Sequence, residues 1–327
     1  MFDLISVGDC MIDSFFKLAD AHVSCALNKS KCEICLRYGD KIPVEEYSQM
    51  VAGNNANNAV GSARLGLKTA AYINVGEDIN GEKVIKKLKE EKVDTRYIMV
   101  NSGMDSNASA VINFEGERTI LVYHQPWKYH LPDLDRSKWI YFSSMSPTFS
   151  KSSVVAQLEN YLERTGSSLA YNPGTFQLKH GVKRYPKLLS LTKLFIVNVQ
   201  EAELILGEKD TKKADIKKLL KKLVDLGPEM VIITDGGSGS YGFDGEKYYQ
   251  LGIIPAKLVE MTGAGDSFAT ATVAGLFYGK SLAEAMRWGA CNSASVVEQV
   301  GPQAGLLTYH QILEKLKEHP KITAKEI

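Results

Sequence analysis

The sequence predicts a doubly wound α/β fold: a mostly parallel sheet with helices on both faces, carrying a small β lid. Three observations predict it. Short apolar runs bounded by turn residues alternate with amphipathic helical stretches, two polar insertions break that rhythm, and 327 residues at 44% hydrophobic content suffice for one large core.

Runs 4–7, 70–75, 139–142, 168–171, 194–197 and 230–234 are short, apolar and β-rich, the pattern of strands covered on both faces. Between them, 57–65, 83–89, 152–164 and 212–226 carry apolar residues at helical spacing. This alternation implies βαβ crossovers, which place a ligand site beyond the carboxyl ends of the strands. Residues 15–50 and 96–125 fit neither pattern and are expected to form the lid, leaving 1–14, 51–95 and 126–327 as the α/β body. In the second insertion, 109–114 and 118–123 flank the turn Glu115-Gly116-Glu117, which predicts a hairpin. The Lys-rich run 212–222 sets Ile216, Leu219, Leu220 and Leu223 at helical spacing, so its lysines read as a solvated helix face.

Charge is balanced, 39 Lys+Arg against 38 Asp+Glu, which leaves no overall field for nucleic acid or an anionic membrane. The opening MFDLISVGD lacks the basic flank and cleavage site of a signal peptide, and no run reaches the ~18–20 apolar residues of a bilayer span. The expected location is therefore cytoplasmic. In a reducing compartment the five cysteines, Cys10, Cys25, Cys32, Cys35 and Cys291, predict no disulfide framework. His22, Cys25, Cys32 and Cys35, spaced H-x2-C-x6-C-x2-C, have the donor types of a structural Zn²⁺ site. Reduced cysteines packing as small apolar residues in a lid strand are the competing reading. The cluster His124, Trp127, Tyr129 and His130 either stacks on a base or sugar or packs at the lid hinge.

The most informative segment is Thr262-Gly263-Ala264-Gly265-Asp266-Ser267-Phe268, which runs into the helical pattern 269–276. Two glycines let the backbone turn tightly and aim N–H groups at one point, and the helix behind adds its positive dipole end. An anion nest results. Asp266 on the first helical turn stands beside it as a candidate general base, unless it serves only as a helix cap.

Gly263-Ala264-Gly265-Asp266 resembles the C-terminal signature of the PfkB, or ribokinase-like, carbohydrate kinases, with Glu260 and Met261 in place of the usual Asp and Thr. Other segments follow in the family's order. Ala52-Gly53-Asn54-Asn55-Ala56-Asn57 resembles the N-terminal Gly-Gly…Asn signature, with Gly53 and Asn57 matching and Ala52 replacing the first Gly. Asp13, after Val7-Gly8-Asp9, is similar to the family's sugar-binding Asp, and Asn198-Val199-Gln200-Glu201 to its Asn-x-x-Glu. Thr234-Asp235-Gly236-Gly237-Ser238-Gly239 resembles the nucleotide loop, and Asn292 falls where the family lines its adenine pocket.

The resemblance implies a phosphotransferase, ATP and Mg²⁺ as cofactors, and a monovalent cation. It casts Gly263, Ala264 and Gly265 as anion hole and Asp266 as base. Asp13, Gly53 and Asn57 become acceptor ligands; Asn198, Glu201, Thr234, Gly236, Gly237, Gly239 and Asn292 become nucleotide ligands, with Glu201 holding Mg²⁺ through water. Helix capping by Asn54, Asn55 or Asn198 and a backbone-satisfied Asn292 are the structural alternatives.

Many members carry Asp-x-Asn-x-Arg where this chain has Ala170-Tyr171-Asn172-Pro173-Gly174, and the lost Arg argues against a phosphorylated acceptor. A sugar or related polyol is the expected acceptor, a nucleoside the alternative. Glu260, Ala52 and the lost charges also admit a non-catalytic ligand-binding homologue. The family's habit of pairing lids between subunits implies a homodimer.

Overall fold

The computed structural model describes residues 1–25, 32–115, 117–209 and 215–327. Gly116 of the expected turn and residues 212–214 of the expected Lys-rich helix lie outside the described residues.

The strands are β1 Phe2–Val7, β2 Met11–Leu18, β3 His22–Cys25, β4 Cys32–Cys35, β5 Val44–Ala52, β6 Thr69–Gly76, β7 Ile98–Asn101, β8 Ala108–Phe114, β9 Glu117–Tyr123, β10 Ser137–Phe142, β11 Ser168–Tyr171, β12 Thr192–Asn198, β13 Met230–Thr234, β14 Ser240–Phe243, β15 Tyr248–Leu251 and β16 Lys325–Glu326. The helices are α1 Asn54–Arg64, α2 Ile79–Glu90, α3 Val154–Thr165, α4 Thr175–His180, α5 Pro186–Ser190, α6 Val199–Leu206, α7 Ile216–Val224, α8 Ala264–Phe277, α9 Leu282–Val296 and α10 Tyr309–Glu318.

The large sheet runs β16-β15-β14-β13-β12-β11-β10-β1-β6-β7. It is parallel from β13 through β7 and antiparallel at β14 to β16. One face packs on α3, α6 and α7 through residues such as Leu158, Ala202 and Leu219; the other packs on α8, α9 and α10 through Phe268, Met286 and Ile312. Burial on both faces explains the unbroken apolar runs. All six strands read from the sequence are present.

The small sheet, β5-β2-β8-β9, is the lid. Two boundaries differ from expectation. β7 lies inside the second insertion yet pairs with β6 of the large sheet, because Ile98 and its neighbours continue the parallel register from Ile73. Asp13, assigned to the body, sits within β2 of the lid, paired with Met50 and Ser109.

A separate two-stranded sheet corrects the cysteine reading. β3 and β4 pair antiparallel with Cys25 opposite Cys32 and His22 opposite Cys35, and the sulfurs of Cys25 and Cys32 are joined in a disulfide. Cross-strand register thus takes two of the four zinc donors, and no group of three or more His, Cys, Asp or Glu suited to a metal exists among the described residues. The expectation of no disulfide fails with it.

The junction between the two sheets is polar and buried. Asp9, just past β1, accepts hydrogen bonds from Tyr129 Oη at 2.6 Å and the Ser146 amide at 2.8 Å, while its Oδ1 has no partner. Burial pushes its carboxyl up to about 7, against the pull of those bonds. Trp127 and Tyr129 belong to the main core, so packing accounts for that half of the aromatic cluster. No described helix is long and apolar enough to cross a membrane.

Candidate active site

A cavity of about 380 Å³ opens beyond the carboxyl ends of the parallel strands, under the lid. Asn172, Asn198 and Thr234 reach it from strand ends, Asp13 from the lid, Gly53, Asn54 and Asn57 from the start of α1, and Gly263, Gly265 and Asp266 from the start of α8. Segments more than 200 residues apart in sequence meet there, as the crossover topology dictates.

The glycine loop forms a helix mouth. Gly263 caps α8 at φ 82°, a left-handed conformation costly for any other residue, and a Cβ there would stand 2.5 Å from Pro302 Cβ. The first turn of α8 then offers amides without intrahelical carbonyl partners, beside a dipole end that favours negative charge. Gly265 has open space where a side chain would be; Ala264 is not among the residues lining the cavity.

Asp266 is gripped from α1. Asn54 Nδ2 donates to its Oδ1 at 2.7 Å and Asn57 Nδ2 to its Oδ2 at 2.8 Å. Burial raises the carboxyl above its ordinary range; the two amides hold it down in part, and the charge of Asp13 adds to the rise. A carboxylate so placed is oriented, ionisable and more basic than one in water. Asp13 is also raised, first by burial, against a 2.6 Å hydrogen bond donated by Ser109 Oγ.

At the other end of the cavity Asn198 and Thr234 are direct neighbours in the β12–β13 ladder. Asn198 and Glu201 form a reciprocal cap on α6: the Glu201 amide donates to Asn198 Oδ1 at 2.9 Å and the Asn198 amide to Glu201 Oε2 at 2.8 Å. The capping alternative therefore holds, yet both residues line the cavity and Glu201 keeps its second oxygen. Burial raises the Glu201 carboxyl as well. Asp13, Glu201 and Asp266 thus put three raised carboxyls around one cavity with no Lys or Arg among the described lining residues, though the three do not converge as a direct metal-binding group.

Other expected ligands stand elsewhere. Asn292 is fully buried, its Nδ2 donating to the Ser267 carbonyl at 2.8 Å and its Oδ1 accepting from the Leu307 amide at 2.9 Å. With both ends engaged it ties α9 to α8, as the backbone-satisfied alternative expects. Gly236 and Gly237 form the turn after β13, outside this cavity, and Gly239 packs so tightly on the Leu251 carbonyl that the neighbouring strand accounts for its glycine. Glu260 accepts from the Gly301 amide at 2.8 Å and from the Thr262 hydroxyl, fastening the loop after α9 to the approach of the nest.

Sequence reading missed Asn54 as a partner of the acid, although its i,i+3 spacing from Asn57 was a legible signal that they share a helix face. It also missed Gln303, whose Nε2 donates to Asn57 Oδ1 at 3.1 Å. His124 lines the cavity edge-on to Phe176, ring centroids 5.0 Å apart, and burial lowers its pKa, which favours the neutral ring.

An anion-binding helix mouth and a raised carboxylate, facing one cavity beneath a β lid, define a small-molecule phosphotransferase. The comparisons are specific about which kind. The chain belongs to the pfkB family of carbohydrate kinases, whose sequence pattern matches residues 2–308. An ATP-dependent 6-phosphofructokinase of Thermoanaerobacterium thermosaccharolyticum is 27% identical over 315 residues, covering 92% of this chain and 89% of its own. Ribokinase of Arabidopsis thaliana, solved with ribose and ATP, superposes with a TM-score of 0.80 at 22% identity, over 97% of this chain and 99% of its own. A nucleoside kinase of Methanocaldococcus jannaschii follows at 0.77 and 18%, over 97% and 99%.

Proposed function

We propose that the chain transfers the γ-phosphoryl group of ATP to a hydroxyl of a small, uncharged sugar or related polyol, with Asp266 taking the hydroxyl proton. The observation that carries this is the Asp266 carboxylate, aimed by Asn54 and Asn57 at the mouth of α8 inside the cavity. Asp13, Gly53 and Asn57 hold the acceptor; Gly263 to Gly265 with the first turn of α8 receive the phosphoryl charge; Asn198, Glu201 and Thr234 face the nucleotide. Phosphoryl transfer depends mainly on position and charge neutralisation, which these residues supply.

Mg²⁺ neutralises phosphate charge when bound, and Glu201, through water, is the residue to hold it. The chain's own part is to orient the acceptor against Asp266, accept the proton at its carboxylate, and exclude water under the lid.

The acceptor reads as neutral because the described cavity lining carries three carboxylates and no cation. A phosphate or carboxylate on the acceptor would meet like charge at Asp13, which sets this reading apart from the acceptor implied by the name of the 6-phosphofructokinase relative. The His124–Phe176 pair favours a nucleoside as second reading, since a neutral ring with its buried Nδ1 unpartnered suits a base. ADP release measured with ribose, fructose, fructose 6-phosphate, adenosine and inosine separates the readings. Turnover with fructose 6-phosphate alone would overturn the neutral acceptor. The lid's outer strand, exposed along β9 with Leu121 and Tyr123 open to solvent, supports a homodimer through the lid, which sedimentation equilibrium tests.

A further inference from the structure

A second cavity, about 450 Å³, lies behind the lid, away from Asp266. Its walls come from both parts of the molecule. The lid gives Gln49, Met50 and Val51 of β5; the body gives Arg64 at the end of α1, Lys83 and Lys87 of α2, and Gln303 with Ala304.

The cavity is cationic. Arg64 grips Glu91 with two hydrogen bonds of 2.9 and 2.6 Å, and Lys87 reaches the same carboxylate at 2.6 Å, which together hold its carboxyl down to about 2. Arg64 also donates to the carbonyls of Gln303 and Leu306, so it fastens the loop that forms the back wall. One carboxylate thus answers two cations, and Lys83, whose Nζ meets only the neutral amide of Gln49, adds a third. Net positive charge is left facing the space.

Gln303 supplies an independent sign of a ligand. Its side chain is 6% exposed and lines this cavity, and its Oε1 is buried without a partner. Such an oxygen asks for a hydrogen-bond donor. A ligand that satisfies both features carries an anionic group for Lys83 and Lys87 and a hydroxyl for Gln303 Oε1.

We infer that this cavity is a regulatory site for a small phosphorylated polyol. Two routes link it to the catalytic cavity. Gln303 Nε2 donates to Asn57 Oδ1, and Asn57 Nδ2 donates to Asp266, so a donor arriving at Gln303 Oε1 strengthens a chain of hydrogen bonds that ends on the acid. The ligand also bridges α2 of the body to β5 of the lid, and thereby favours one lid position over others. Occupancy of this site is therefore coupled to acceptor affinity. The coupling rests on the reading of Asp266 and Asn57 given above; the binding does not.

Inorganic phosphate, glycerol 3-phosphate and ribose 5-phosphate, with glycerol as the uncharged control, are titrated against the whole chain by calorimetry and thermal shift. The phosphate esters bind, glycerol does not, and Lys83→Gln/Lys87→Gln weakens binding by about tenfold or more, the effect of losing two charge-assisted contacts. Lys83→Gln alone, outside the Glu91 network, weakens it at least about threefold and guards against a merely unfolded double variant. With the preferred neutral acceptor and ATP, saturating ester changes the acceptor KM of the wild type by about threefold or more. The double variant keeps its basal turnover and loses that response. Failure of all three phosphates to bind, or equal binding by both variants, overturns the site. Binding without any KM response overturns the coupling. A chain that turns over no acceptor yet binds the esters through Lys83 and Lys87 defeats the kinase reading and leaves the site standing.

Discussion

β6 of the body is buried at every residue, whereas β9 of the lid is exposed at every residue. The body encloses its sheet between helices and draws its stability from apolar contact; the lid is one thin sheet whose inner face carries Asp13. On the proposed reading, the part of acceptor recognition that falls to Asp13 is therefore separable from stability to first order. Substitutions in the body core are expected to unfold, and those on the lid to change binding without unfolding.

Trp127→Ala sharpens this most. It empties a fully buried ring site in the main core, and the expected loss is about 3–5 kcal/mol in denaturant unfolding. A loss near zero would mean the body core does not carry the fold. Asp266→Asn comes next, and is the exception within the body. Turnover falls by at least ~10²-fold, the scale of a lost general base. Melting temperature does not fall near neutral pH, since a carboxyl raised by burial is destabilising when ionised. Unchanged turnover removes Asp266 from its role.

On the lid, Asp13→Asn raises the acceptor KM by about tenfold, the worth of a hydrogen bond to a charged group, and leaves thermal stability in place. A large drop in stability instead would erase the division between the two parts.

Asp9 lies between them, at the junction. Its folded carboxyl titrates at about 7, while the unfolded chain titrates near ~4. Between these values the folded protein keeps a proton that the unfolded chain has released. Stability therefore falls as pH rises from about 4 to about 7, by up to ~1.4 kcal/mol per unit from this group. Asp9→Asn flattens that slope; equal slopes in both proteins would show that Asp9 does not contribute to it. The smallest effect is expected from Cys25→Ser. β3 is wholly exposed and its link to Cys32 closes only a short loop, so turnover changes by less than about twofold.

The sequence was most legible where one physical rule governs many residues. Period and burial gave the six body strands, and the Gly-Ala-Gly-Asp run announced the helix mouth because few backbones other than a nest need that pattern. It was least legible where tertiary register decides. Whether Cys25 faces Cys32 or a metal depends on a cross-strand pairing that spacing alone does not state. Asn292 looked like a ligand because an amide's use is set by what surrounds it, and here two backbone groups do. Of the asparagines in 54–58, Asn54 and Asn57 face the acid while Asn55 and Asn58 turn to Tyr72 and Thr270, a division made by helix rotation.

Gly53 alone separates the end of β5 from the start of α1, at φ 92°, and a Cβ on it would stand 2.8 Å from Cys10 Cα. Both amides that aim the acid begin immediately after that single pivot. The small sheet and the helix start that orients Asp266 are thereby joined through one tightly packed Cα.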